Sequence, residues 1–186
     1  MAKVYIFLAN GFEEIEGLTV VDLLRRANIE ITMVSITGSQ YVAGSHRIEV
    51  KADALFEDLD YSDADMLVLP GGMPGTKYLS EHVGLDKLLK TFHSSGKKLS
   101  AICAAPSVLG SKGLLQGKEA TCFPGFEESL VGAKVKNKAV VMDGSIITSK
   151  GMGTAIDFSL ALIRSLASEE EAANIASSIQ YEHYQA

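Results

Sequence analysis

The sequence predicts an α/β fold, a mostly parallel central sheet with helices on both faces. Three observations point to it. Apolar runs of strand length alternate with helical patterns along the chain. Two of those runs, Val4-Tyr5-Ile6-Phe7-Leu8 and Met66-Leu67-Val68-Leu69, are apolar at every position, as parallel strands covered on both faces read. The chain of 186 residues is long enough to bury one sizeable core, so a single domain over residues 1–186 is expected.

Taken in order, Val4 to Ala9 reads as a strand, and its apolar stretch is too short for a signal segment or a membrane span. Glu13 to Ala27 reads as a helix whose core stripe holds Val20, Leu23, Leu24 and Ala27, and Ile31 to Thr37 as the next strand. Between Thr37 and Asp53 the turn-rich, alternating pattern predicts a small β excursion at a sheet edge, with an architectural role. Met66 to Leu69 is a strand, Val83 to Phe92 a helix, Leu99 to Ile102 a strand and Ala104 to Leu109 a helix. Val140 to Ser149 reads as a hairpin through Asp143-Gly144, followed by helices from about Thr154 to Leu166 and from Glu169 to about Ile179.

Composition narrows the function. A net charge of −6 without a run of lysines or arginines gives no reason to expect nucleic acid or a membrane as partner. Two cysteines, Cys103 and Cys122, do not make a disulfide scaffold; they fit a reducing, cytoplasmic compartment. The four histidines are well separated and lack metal-ligand spacing, so no structural zinc is expected.

Three segments can carry chemistry. Lys98 to Ile102 is a short strand that ends at Cys103 and passes into a helix through small residues. A nucleophile on such an elbow projects beyond the carboxyl ends of parallel strands, and a helix N-terminus behind it favours the thiolate. In the first helix, Glu16 falls in line with the core stripe, where a carboxyl must be paired or protonated. Glu13 and Glu14 are expected to be solvated first-turn acids, Glu14 pointing away from that stripe. The glycine-rich loop Pro70-Gly71-Gly72-Met73-Pro74-Gly75 leaves another strand end, so its N–H groups can face the same crevice. It lacks the spacing and lysine of a phosphate-binding P-loop.

Together, Gly11-Phe12-Glu13-Glu14-Ile15-Glu16, Leu69-Pro70-Gly71-Gly72 and Ala101-Ile102-Cys103-Ala104-Ala105-Pro106 resemble the DJ-1/ThiJ/PfpI superfamily, in its small bacterial, ThiJ-type form. The likeness continues through Thr148 to Phe158 and so covers nearly the whole chain. The resemblance implies a flavodoxin-like three-layer sandwich and a homodimer. It also implies that Cys103 is the reactive cysteine, that Glu16 hydrogen-bonds its sulfur, and that the N–H groups of Gly72 and Ala104 form an oxyanion pocket. His46 falls where one branch has an arginine reaching across the dimer, and can add to substrate binding there. Where some members read Thr-His-Pro, this chain has Thr121-Cys122-Phe123-Pro124, and the residue after the nucleophile is Ala104 rather than histidine. A cysteine–histidine–acid triad is therefore not expected, unless a distant histidine such as His46 or His183 folds close; His82 and His93 read as surface residues.

The function implied is a cysteine-dependent glyoxalase or deglycase acting on small aldehydes or glycation adducts, without metal or nucleotide cofactor. The alternative is a redox sensor or chaperone that works through oxidation of Cys103. Ile15 and Leu18, on the outer side of the first helix, suggest a dimer seam.

Overall fold

The computed structural model describes residues 2–184. It begins with β1 (Lys3–Leu8), α1 (Glu14–Arg26) and β2 (Glu30–Ser35), then a hairpin of β3 (Tyr41–Ala43) and β4 (Glu49–Lys51), and β5 (Ala54–Leu55). After these come β6 (Met66–Leu69), α2 (Gly75–Glu81), α3 (Val83–Ser94), β7 (Lys98–Ile102) and α4 (Pro106–Ser111). Two short strands, β8 (Glu119–Ala120) and β9 (Lys134–Val135), precede the hairpin β10 (Val140–Asp143) and β11 (Ile146–Ser149), and the helices α5 (Ala155–Leu166) and α6 (Glu169–Ser178) close the fold.

The main sheet has seven strands in the order β10-β11-β7-β6-β1-β2-β5, and all are parallel except the edge strand β10. The unbroken apolar strands are explained by two cores, one on each face. Val4, Ile6 and Leu8 of β1 pack with α1, α5 and α6. Tyr5 and Phe7, pointing the other way, pack with Leu85, Leu89 and Phe92 of α3 and Val108 and Leu109 of α4. Local chemistry fixes helix starts: Ser168 Oγ accepts from Glu171 N–H at the head of α6, and His82 Nδ1 accepts from Leu85 N–H at the head of α3.

Two parts differ from the sequence expectation. The β3–β4 pair is a separate two-stranded sheet rather than an addition to the main sheet edge, and α2 and the β8–β9 pair carried no readable period. Segments of two to seven residues are too short to express one. The strand order turns back between β1 and β6: β2 lies on one side of β1 while β6, β7 and β11 follow on the other. In open parallel sheets the crevice outside the strand carboxyl ends at such a reversal is where ligands bind. The loops after β1, β6 and β7 all open there. Among the described residues no helix is long and apolar enough to cross a membrane.

Candidate active site

Cys103 stands directly after β7 with φ of +64°, a left-handed conformation that non-glycine residues rarely adopt. Holding it costs on the order of 1–3 kcal/mol, which the surroundings must offset. They do so through the backbone: Cys103 N–H donates to Ser149 O at 2.9 Å, and Phe123 N–H donates to Cys103 O at 2.8 Å. The strained turn lifts the half-buried side chain out of the sheet toward the loop after β6.

That loop fits only glycine. A Cβ on Gly71 would lie 2.6 Å from Cys103 Cβ, 2.6 Å from Glu16 Oε2 and 3.1 Å from Cys103 Sγ. Gly72 has φ of +88°. Gly71 N–H donates to Glu16 Oε2 at 2.9 Å, and Gly71 O accepts from Glu13 N–H at 2.9 Å, so the loop is stitched to the start of α1. Gly71→Ala is therefore expected to lower stability by about 1–3 kcal/mol, because the added methyl overpacks the space between the thiol and the carboxyl. Urea denaturation checks it; an unaltered midpoint would refute the close approach.

Glu16 is 1% exposed. Oε2 has the Gly71 N–H, and Oε1 has no hydrogen-bond partner. Burial pushes this carboxyl up to about 7, although its contacts with the Cys103 thiol and the Gly71 N–H pull the other way. The thiol is itself pushed up to about 12, first by burial and then by the charge of Glu16, against the N–H groups of Ala104 and Gly72. The sequence expectation of a thiolate favoured by a helix N-terminus is thus only partly met. α4 has six residues and begins three positions after Cys103, too short and too far to outweigh burial. What favours the thiolate is protonation of Glu16, which removes the neighbouring charge and makes the carboxyl a donor. The N–H groups of Gly72 and Ala104, which the family resemblance implies as an oxyanion pocket, are the two that pull the thiol's pKa down against burial.

Glu14 corrects the sequence reading. It is 3% exposed, not a solvated first-turn acid. Its Oε1 accepts from His46 N–H at 2.8 Å and its Oε2 lies 3.1 Å from His46 Nδ1. Burial raises this carboxyl, but the N–H donors of its own turn and of the 46–48 loop, with the His46 ring, outweigh it and hold it at about 2. Helical spacing placed Glu14 off the core stripe correctly; the β3–β4 hairpin then folds over that face and buries it. The hairpin tip is thereby an anchored wall beside α1, which the sequence did not reveal.

His46 itself is exposed, and its neighbours Glu14 and Glu13 raise its pKa. Ligand atoms of Glu13, Glu14 and His46 lie within 4.8 Å of one another, the described group closest to a cation site. Ser45 Oγ already bonds all three, at 3.0 Å to Glu13, 3.2 Å to Glu14 and 3.0 Å to His46, so the cluster reads as a loop anchor. The other histidines stand apart. His183 packs its ring on Tyr181 and lines a cleft with Lys138, Asp157 and Arg164, His82 caps α3 against Phe56, and His93 lies within α3. The groups that shift the Cys103 thiol are Glu16 and the two N–H donors, and among the described residues no histidine joins them. Cys122 is 3% exposed in the α3–α4 core, and burial pushes its thiol up to about 11.

The family model described as DJ-1/PfpI family matches residues 2–165. Protein DJ-1 homolog B of Arabidopsis thaliana is 38% identical over 176 residues, covering 94% of this chain; the chain spans only 40% of that relative. A deglycase of Pyrococcus horikoshii is 31% identical over 150 residues, 80% of this chain and 89% of that protein. Among solved structures, oxidized DJ-1 of Toxoplasma gondii superposes with a TM-score of 0.95 at 36% identity, covering 98% of this chain and 100% of that one.

Proposed function

The chain belongs to the DJ-1/PfpI family, and from that premise we propose that it is a cysteine-dependent enzyme of the glyoxalase or deglycase type, acting on small reactive aldehydes or glycation adducts in the cytoplasm. The observation that carries the reading is the pairing of Cys103 with a buried carboxyl whose pKa is lifted to about 7, where a group can both take and return a proton at neutral pH. Similarity to a protein named as a deglycase supports the substrate class.

In the proposed reaction the Cys103 thiolate, formed with the proton held on Glu16, adds to the aldehyde carbon of a dicarbonyl such as methylglyoxal. The C–S bond forms as the C=O π pair moves to oxygen, and the N–H groups of Gly72 and Ala104 stabilise the oxyanion. Glu16 returns its proton to that oxygen, then takes the proton from the former aldehyde carbon to give an enediolate and delivers it to the neighbouring carbon, while the hydroxyl proton of the first carbon passes to the oxygen of the second. The resulting thioester is hydrolysed by water to the 2-hydroxy acid, restoring the thiol. Oxidation of one carbon balances reduction of the next, so no cofactor enters. Lactate release from methylglyoxal without glutathione tests the proposal, with the Cys103→Ser variant as control.

A second reading uses the same residues: oxidation of Cys103 as a redox signal, favoured by the half-buried sulfur beside a carboxyl able to donate to a new oxygen. Mild peroxide is expected to add two oxygens to the Cys103 peptide and none to the Cys122 peptide, read by mass spectrometry. Oxidation at Cys122 first would remove the sensor site.

We further infer a homodimer through the outer face of α1. Ile15 is 50% exposed and Ile48 is 54% exposed, and together with Leu18, Ile156 and Ile179 they line one groove. An exposed apolar face of this kind fits a self-complementary seam, which would bring the His46 loop near its copy's site. Sedimentation at micromolar concentration is expected to give twice the chain mass in the wild type and a monomer for Ile15→Glu; a monomeric wild type defeats the inference.

A further inference from the structure

We propose that the crevice beside Cys103 carries an apolar subsite formed by Phe123 and Met152, which selects aldehydes bearing a flat apolar group, an aryl substituent above all. The inference deepens the reading of Cys103 as a nucleophile toward dicarbonyls and rests on it.

Two chain segments bracket the cysteine backbone: Phe123 N–H holds Cys103 O, and Ser149 O holds Cys103 N–H. From these anchors the segments converge. A Cβ on Gly151 would lie 3.2 Å from Phe123 Cδ2, so the Phe123 ring lies over the Gly151 backbone, and Met152 follows directly. Phe123 is 47% exposed and Met152 is 51% exposed. Isolated exposed apolar residues are common on any surface; here Phe123 itself is hydrogen-bonded to Cys103 O, and Met152 lies three residues after Ser149, whose carbonyl takes the Cys103 N–H.

The polar groups of these segments are already engaged. Thr148 Oγ1 accepts from Thr121 N–H, Ser149 Oγ bonds Ala139 O and Thr154 Oγ1, and Lys150 Nζ bonds Asn137 Oδ1. The opposite side of the sulfur holds Glu16 and the N–H groups of Gly72 and Ala104. In this proposal the crevice is divided: the β6 side takes the carbonyl oxygen and the proton, and the β11 side, where Phe123 and Met152 are exposed, takes the group that the carbonyl carries. Aromatic pairs and sulfur–aromatic contacts reward a flat π substituent beyond its area alone.

The test does not require turnover. Benzyl and methyl methanethiosulfonate each transfer their thiolate-bound group to Cys103, the thiolate displacing methanesulfinate and forming a mixed disulfide. The rate is followed by mass on the Cys103 peptide and referred to free cysteine. In the wild type the benzyl-over-methyl ratio is expected to exceed that of free cysteine about tenfold. It is expected to fall to the free-cysteine value in Phe123→Ala and to an intermediate value in Phe123→Leu and Met152→Ala. A wild-type ratio equal to that of free cysteine, or one unmoved by Phe123→Ala, overturns the subsite. In a second arm, kcat/KM for phenylglyoxal over methylglyoxal is expected to follow the same order across the variants. If neither aldehyde is turned over while the thiosulfonate ratios hold, the subsite stands and the dicarbonyl reading falls.

Discussion

Cys103→Ser is expected to abolish lactate formation from methylglyoxal, with kcat/KM reduced by at least about a thousandfold. A serine hydroxyl has a pKa several units above that of a thiol, so Glu16 cannot bring it to the alkoxide near neutral pH, and its oxygen is the poorer nucleophile toward carbonyl carbon. Fold is not the reason for the loss. The substitution keeps the side-chain shape at a position whose φ of +64° is held by backbone hydrogen bonds to Ser149 and Phe123 rather than by the sulfur. The thermal midpoint is accordingly expected to stay within a few degrees of wild type. Cys122→Ser is the matched control: its sulfur is buried in the α3–α4 core, away from Glu16, and the change is expected to leave turnover intact. Lactate production by Cys103→Ser at more than a tenth of the wild-type rate would exclude the thiol as nucleophile.

Glu16→Gln carries the second large effect, on rate and on the pH dependence of stability together. Removing the proton carrier is expected to lower kcat by about a hundredfold to ten thousandfold. The stability effect has a definite sign. Glu16 titrates near 4.5 in the unfolded chain and is lifted to about 7 by burial in the folded one. Between those values Glu16 holds more proton in the folded state than in the unfolded state, so its contribution to wild-type stability falls as pH rises from about 4 to about 8 and levels off above. A shift of that size corresponds to about 3 kcal/mol. Glutamine does not titrate, so its stability relative to wild type is expected to improve by about that amount between pH 4 and pH 8, measured by urea denaturation at both ends. The Cys103 thiol does not blur the window, since it stays protonated in both states over that range. Parallel curves for the two proteins would mean that the Glu16 carboxyl is hydrated and ordinary, and the proton-carrier role would fall with it.

Much of the fold was legible because its signals are periodic and local. Met66 to Leu69 matches β6 residue for residue, and the 140–149 hairpin and the two final helices fall within a residue or two of their expected limits. Glu16 was legible as an anomaly, a carboxyl on an apolar stripe, and it is 1% exposed in the fold. Glu14 was not, because the hairpin that buries it comes more than thirty residues later and no helical period encodes that contact. Gly71 was visible as part of a flexible-looking loop, yet the reason for glycine there is the approach of Cys103 from the elbow after β7 and of Glu16 from helix α1.

The sequence by itself determined the parallel sheet, the elbow at Cys103 and the presence of an out-of-place carboxyl, because strand hydrophobicity, turn chemistry and helix period are properties of neighbours along the chain. Tertiary structure alone decided the protonation chemistry. The order β2-β1-β6-β7 brings the ends of β1, β6 and β7 into one crevice, where desolvation, rather than any helix dipole, sets the state of Glu16 and Cys103. Desolvation is the summed exclusion of water by residues distant in sequence, and it exists only once the chain has folded around the pair.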